Sequence, residues 1–168
     1  MSKERALDIL KTAILLERRG KAFYGLVAST TTIPEAKDVF SIMAAEEQEH
    51  IDFLSEQYKS VMSNNTFSKQ RLSESHANEA IVDRILNEGI RGKIEAASYE
   101  AAAIAAAIDM ENKAIQVYSE RAAEATDPNE KELYQWLADW EQTHLKLLNE
   151  MNKQLMESIW NDNQFWPF

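Results

Sequence analysis

The sequence predicts an all-α fold. Its 168 residues include only 4 glycines and 3 prolines, so few residues interrupt helices. Apolar residues recur at intervals of three and four almost throughout, which is the period of an amphipathic helix, and no segment alternates as a strand does. The length suits one domain with a sizeable core, and we expect residues 1–168 to form that single domain.

Four long helices are predicted, with approximate bounds 4–30, 34–62, 93–125 and 128–159. The segment TTTIP separates the first two helices and places Pro34 at the start of the second, where proline is favoured. Asp127 and Pro128 form a comparable start for the fourth helix, as N-cap and first helical residue. The Ala-rich run AASYEAAAIAAAIDME lies in the third helix.

The connection between the second and third helices, residues 63–92, is long enough to cross the length of a bundle. The other two connections are short, so each joins an antiparallel pair, whereas the long one would leave the second and third helices parallel. Within it, residues 77–90 are predicted as a short helix. The predicted architecture is a four-helix bundle with one long crossover. The aromatic tail NDNQFWPF, which follows the fourth helix, is predicted to be non-helical.

Charge and composition exclude several partners. The formal net charge of −10 disfavours nucleic acid and anionic membrane surfaces, which both attract clustered Lys and Arg. No apolar run approaches the length of a bilayer span, and the first residues, MSKERALDIL, lack the apolar core of a signal peptide. There is no cysteine, so disulfides and thiolate metal sites are absent. We therefore expect a cytoplasmic protein.

The chain contains an internal repeat. Sliding the sequence by 94 residues without gaps matches ten of the thirty-four positions in residues 17–50. Three of the matched pairs are potential metal ligands: Glu17 with Glu111, Glu47 with Glu141, and His50 with His144. The two pseudo-repeats span about residues 4–62 and 93–159, so each half offers one mid-helix glutamate followed by Glu-x-x-His.

These six polar residues lie on the inward registers of their helices. Glu47 and His50 interrupt the apolar register of Phe40, Met43 and Leu54, and three-residue spacing puts both on one helix face. Buried charges are costly unless they are paired or bind metal. Four carboxylates and two imidazoles converging on a bundle centre therefore predict two divalent cations. This donor set suits iron or manganese, with zinc as an alternative.

Four motifs carry a family resemblance: LERRGKAFY (16–24), AEEQEH (45–50), MENKAIQVY (110–118) and DWEQTH (139–144). They resemble the rubrerythrin family of the ferritin-like di-iron carboxylate superfamily, over roughly residues 4–159. The resemblance implies a ferritin-like bundle with two iron ions. It assigns Glu17, Glu47 and His50 to one iron and a second set to the other: Glu111, Glu141 and His144. It also implies that Glu47 and Glu141 bridge the two ions.

The resemblance implies a di-iron oxidoreductase that reduces hydrogen peroxide, or dioxygen, to water, and a homodimer. Rubrerythrins typically carry a Cys-rich rubredoxin domain that feeds electrons to the site. Because this sequence has no Cys, we expect an external donor, such as a rubredoxin or a reductase. Three alternatives stay open: a ferroxidase for iron handling, a helical bundle in which metal only adds stability, and an oxygenase acting on an organic substrate.

Several neighbouring residues have two interpretations. Tyr24 and Tyr118 each lie seven residues after a predicted ligand glutamate, and they either donate hydrogen bonds to ligand carboxylates or serve as core aromatics. For Trp136 and Trp140, packing is favoured over electron transfer. The remaining nearby acids are expected on solvated faces: Glu46, Glu49 and Glu100.

Overall fold

The computed structural model describes residues 2–69 and 99–162, with side chains through residue 157. These ranges form four helices and no strand: α1 (Lys3–Thr30), α2 (Pro34–Asn64), α3 (Tyr99–Glu124) and α4 (Pro128–Asp162). The all-α prediction is confirmed, and the bounds of α1, α2 and α4 agree with the predicted ones to within a few residues. The predicted short helix 77–90, the start of the predicted third helix and the tail from residue 163 onward fall outside the described residues. The first two residues of the tail, 161 and 162, continue α4, so the prediction that the tail is non-helical is wrong for them.

The helix ends follow from their local sequences. Ser2 caps α1, its hydroxyl accepting a backbone N–H of the first turn. Pro34 is the first residue of α2, and Asn65 ends that helix in the left-handed conformation with φ 55°. Asp127 caps α4 by accepting the backbone N–H of Asn129 at 2.8 Å, as its position before Pro128 predicts.

Hydrogen bonds between α1 and α3 establish the topology. They pair residues from the α1 segment with residues of α3: Thr31 with Glu100, Tyr24 with Glu111, and Glu17 with Tyr118. As the residue number falls along α1 it rises along α3, so the two helices are antiparallel. Lys3 Nζ donates to the carbonyl of Met62, so α1 and α2 are antiparallel as well. Helices α2 and α3 are therefore parallel, which confirms the bundle with one long crossover.

Two apolar clusters fill the bundle, one toward each end. The largest fully buried members of the first are Tyr24, Phe40, Met43, Ile104, Leu148 and Met151. The largest of the second are Tyr118, Tyr134, Leu10, Leu54 and Leu137. Each fully buried Leu, Phe or Met contributes about 1.5–3 kcal/mol through the hydrophobic effect. The interhelical space between the clusters is where the predicted ligands project.

Candidate metal centre

The six predicted ligand side chains meet in the middle of the bundle. They form two overlapping groups, in each of which one ligand atom per residue lies within 4.8 Å of the others. The first group is Glu17, Glu47, His50 and Glu141, and the second is Glu47, Glu111, Glu141 and His144. Glu47 and Glu141 belong to both groups, which is the arrangement that two bridging carboxylates require.

All six side chains are buried, each with 3% exposure or less. Within the part of the chain that the structure describes, Glu47 Oε2 and Glu141 Oε1 have no hydrogen-bond partner. Burying a carboxylate is costly unless hydrogen bonds or a positive charge repay its desolvation. These two oxygens, within a cluster of four buried carboxylates, therefore fit a site that binds cations.

Both histidines turn the Nδ1 atom toward the carboxylates. Nδ1 of His50 lies 3.2 Å from Glu17 Oε2 and 3.3 Å from Glu141 Oε1. Nδ1 of His144 lies 3.1 Å from Glu141 Oε2 and 3.4 Å from Glu111 Oε1. Carboxylate oxygens and neutral imidazole nitrogens together are donors for iron or manganese. The residues therefore fit a pair of such ions.

Tyr24 and Tyr118 connect the two halves of the site. The hydroxyl of Tyr24, on α1, donates a hydrogen bond to Glu111 on α3. The hydroxyl of Tyr118, on α3, donates in turn to Glu17 on α1. Each phenol thus contacts the predicted ligand of the opposite repeat. A hydrogen bond of this kind fixes the orientation of a ligand carboxylate.

A cavity of about 1030 Å³ lies between α1 and α3 and reaches the carboxylates. Its apolar wall includes Ile9, Leu16, Phe23, Met110 and Val117, and its inner end includes all four site glutamates. One water occupies about 30 Å³ of liquid, so the volume far exceeds the need of a small oxidant. It lies at the upper end of the range for organic ligand pockets.

The geometry agrees with a comparison of the sequence with family models. The model described as Rubrerythrin matches residues 8–152, which include all four helices for most of their length. The chain belongs to the rubrerythrin family. Searches of curated proteins and of solved structures find no significant match. Membership of the rubrerythrin family thus rests on the family model, and the six converging side chains agree with it.

Without metal ions, the negative charge of the four glutamates in this rubrerythrin-family site is reduced by protons bound to some of them. Burial, followed by the charge of Glu141, raises the pKa of Glu47 well above its usual range and that of Glu111 to about 8. Although burial acts in the opposite direction, His50 and His144 hold the pKa of Glu141 well below its usual range. Metal ions bind to deprotonated ligands, so they would displace these protons.

The carboxylates likewise raise the pKa of both histidines. Burial alone would lower the pKa of His50, but Glu141, Glu17 and Glu47 outweigh it. Burial is outweighed in the same way at His144, where Glu111 and Glu141 contribute most. Both imidazoles are therefore held protonated in the absence of a competing cation, and they must lose a proton to bind one.

Two acids are buried where solvated positions were predicted. Glu46 lies against α4, with Oε2 2.8 Å from His144 Nε2, and Glu100 accepts a hydrogen bond from the Thr31 hydroxyl at 2.6 Å. The predictions for these two residues are wrong, whereas Glu49 is exposed as predicted. The burial of Glu46 could have been predicted from the repeat, because the 94-residue shift aligns Glu46 with Trp140, a large apolar residue.

Gly20 gives the Glu47 side chain its space. A Cβ atom at Gly20 would lie 3.2 Å from both Cδ and Oε1 of Glu47, closer than ordinary van der Waals contact. We expect Gly20→Ala to shift Glu47 by a few tenths of an ångström and to weaken metal binding about tenfold, as disturbing a ligand's support does. Titration of the metal-free protein with Mn²⁺ measures the change.

Gly25 provides the matched control, since a Cβ atom there meets nothing within 4 Å. Gly25→Ala should leave metal affinity unchanged and raise stability by about 1 kcal/mol, the difference in helix propensity. If Gly20→Ala behaves like Gly25→Ala in both measurements, then the close approach to Glu47 does not matter for the site.

Proposed function

We propose that this protein is a di-iron oxidoreductase that reduces hydrogen peroxide to two molecules of water, consuming two electrons and two protons. The single observation that supports it most strongly is the pair of overlapping ligand groups that share Glu47 and Glu141. Two shared carboxylates would hold two metal ions close enough to act on one small substrate. When bound, the iron pair would supply the two electrons for cleavage of the O–O bond.

The protein's own residues would have distinct tasks. Glu17 and His50 would hold one ion, Glu111 and His144 the other, and the two shared glutamates both. Tyr24 and Tyr118 would orient the two unshared carboxylates through their hydrogen bonds. The apolar clusters on either side exclude water, whereas the cavity between α1 and α3 admits the oxidant.

Electrons would come from an external donor, such as a rubredoxin or a reductase, since none of the 168 residues is a cysteine that could ligate the iron of a rubredoxin. Among the described residues, no helix is long and apolar enough to cross a bilayer. The homodimer, the cytoplasmic location and the lack of a nucleic-acid partner stay predictions. Ferroxidase activity would use the same six residues and differs in its product, ferric mineral that leaves the site.

The cavity favours one second candidate, oxidation of an organic substrate. Its volume of about 1030 Å³ and its apolar wall would accommodate an elongated apolar molecule next to the carboxylates. Under this alternative, dioxygen would be the oxidant, and an apolar ligand would perturb the spectrum of the loaded site. A bundle in which metal only adds stability would show no reaction with either oxidant.

Anaerobic stopped-flow spectroscopy tests the proposal. We expect the iron-loaded, reduced protein to be oxidised rapidly by hydrogen peroxide and slowly by dioxygen. Glu47→Gln should abolish the fast phase because it removes a shared carboxylate, whereas the nearby exposed Glu49→Gln should retain it. Oxidation by peroxide no faster than that of free ferrous iron would contradict the proposal.

A further inference from the structure

The two histidines of the site have different surroundings on the side that faces away from the carboxylates. His144 Nε2 lies 2.8 Å from Glu46 Oε2, a buried carboxylate. His50 Nε2 is buried and has no hydrogen-bond partner among the described residues. Its ring instead meets Trp136 and Trp140 edge to face, with centroids 5.6 and 5.1 Å away.

The different surroundings of the two histidines arise at one position of the internal repeat, which is Glu46 in the first half and Trp140 in the second. A shift of 94 residues aligns Glu46 with Trp140, directly before the shared glutamate of each half. Glu46 on α2 faces the histidine of α4, and Trp140 on α4 faces the histidine of α2. The ligands of the two halves match, but the residue behind each histidine does not.

This position controls how firmly each imidazole is held. When Nδ1 of a histidine binds a metal ion, the Nε2 atom carries the proton. Glu46 can accept that N–H of His144, which fixes the ring, increases the basicity of Nδ1 and adds a negative charge near the ion. Among the described residues, His50 Nε2 has no such acceptor and the ring contacts two indoles, which can offer its N–H only a much weaker interaction.

We infer that the two metal positions are unequal: the ion at His144 binds tightly because Glu46 anchors that ring, and the ion at His50 is the weaker, exchangeable one. Glu46 acts here as a positioning residue, through His144. Removing such a partner typically lowers metal affinity by about 10–100-fold, so we expect the two dissociation constants to differ by about tenfold or more. The inference rests on the proposed two-metal centre but is independent of the reaction it performs.

Titration of the metal-free protein with Co²⁺, followed by calorimetry and visible absorption, tests the inference. The wild-type protein should bind two ions in two resolved steps. Glu46→Gln keeps the side-chain volume and should weaken only the tight step by about tenfold or more. Trp140→Glu should tighten only the weak step, because it places a carboxylate behind His50. The exposed Glu49→Gln is the control and should change neither step.

Proton NMR of the cobalt-loaded protein identifies the order of binding. At one equivalent of Co²⁺, one exchangeable imidazole N–H should be shifted by the metal, and it should persist in His50→Ala and vanish in His144→Ala. Equal affinities in the wild type, equal weakening of both steps by Glu46→Gln, or His50 filling first would overturn the inference. The peroxide proposal would still stand after any of these results, and failure of the peroxide reaction would leave the two-step binding unaffected.

Trp140→Glu places a charge in a half-buried position, so circular dichroism must first show that the variant is helical. Glu46→Gln decides the question independently, since it removes only the charge of a side chain that already fits. A tight step that keeps its wild-type affinity in Glu46→Gln would also overturn the role of Glu46.

Discussion

Glu141→Gln is expected to eliminate binding of both metal ions at micromolar concentrations. Glu141 is 1% exposed and belongs to both ligand groups. Its two oxygens face opposite histidines, Oε1 at 3.3 Å from His50 Nδ1 and Oε2 at 3.1 Å from His144 Nδ1. The amide preserves the shape but has a single neutral oxygen, so neither ion would keep its bridging ligand. Metal analysis after gel filtration measures the loss.

Glu17→Gln is the informative comparison, because Glu17 belongs only to the group that contains His50. We expect this variant to lose one ion and to keep the other. Both variants should retain wild-type helicity, which circular dichroism checks. If Glu141→Gln and Glu17→Gln lose the same number of ions, Glu141 is not shared between the two positions.

Metal binding is expected to raise the thermal stability of the protein strongly. An ion that binds only the folded chain stabilises it by about 4 kcal/mol when free metal exceeds the dissociation constant about a thousandfold. For a domain of this size that corresponds to roughly 10 °C in Tm for each ion. Differential scanning calorimetry with and without Mn²⁺ measures the shift, which should shrink strongly in Glu141→Gln.

The increase in Tm caused by metal binding should also grow as the pH rises. The pKa of Glu111 is raised from 4.5 to about 8, so its contribution to the stability of the metal-free fold is present below pH 4.5 and is lost as the pH rises through about 8. The raised pKa values of His50 and His144 act in the same direction above pH 6.5. Glu141, with its lowered pKa, opposes this only at acidic pH.

Metal affinity changes in the opposite direction, because protons compete less for the ligands at high pH. We therefore expect the metal-free protein to lose stability between pH 4.5 and about pH 8, while the loaded protein loses much less. A Tm of the metal-free protein that rises steadily across this range would show that the buried carboxylates are not held protonated by the fold.

The convergence of the six candidate ligand residues could be predicted from the sequence because two independent patterns agree on them. The helical register points Glu47 and His50 inward, and the repeat assigns the same orientation to Glu141 and His144. The starts of two helices could be predicted as well, because Pro34 and Asp127 favour a helix start through local interactions within the first turn.

The hydrogen bonds from Tyr24 and Tyr118 to glutamates of the opposite helix could not be predicted from spacing alone. Seven residues along a helix correspond to roughly 10 Å, too far for Tyr24 to reach Glu17 on its own helix. The antiparallel packing of α1 and α3 brings it to Glu111 instead. Glu46 was missed for a similar reason: its burial depends on how α4 packs against α2, and charge alone favoured a solvated position.

The cavity also depends on the distance between two helices, which a single sequence does not specify. Ile9, Leu16 and Phe23 line it from α1, and Met110 and Val117 from α3. Each of these residues is an ordinary member of an amphipathic pattern. Only the packing of α1 relative to α3 turns them into the wall of an opening that reaches the carboxylates.

The most direct test of a carboxylate-bridged iron pair is combined Mössbauer and EPR spectroscopy of the iron-loaded, oxidised protein. We expect two ferric ions per chain, one for each ligand group, coupled antiferromagnetically so that the resting protein gives no EPR signal. Two isolated high-spin ferric signals, or a single iron that Glu141→Gln leaves unchanged, would contradict a shared centre.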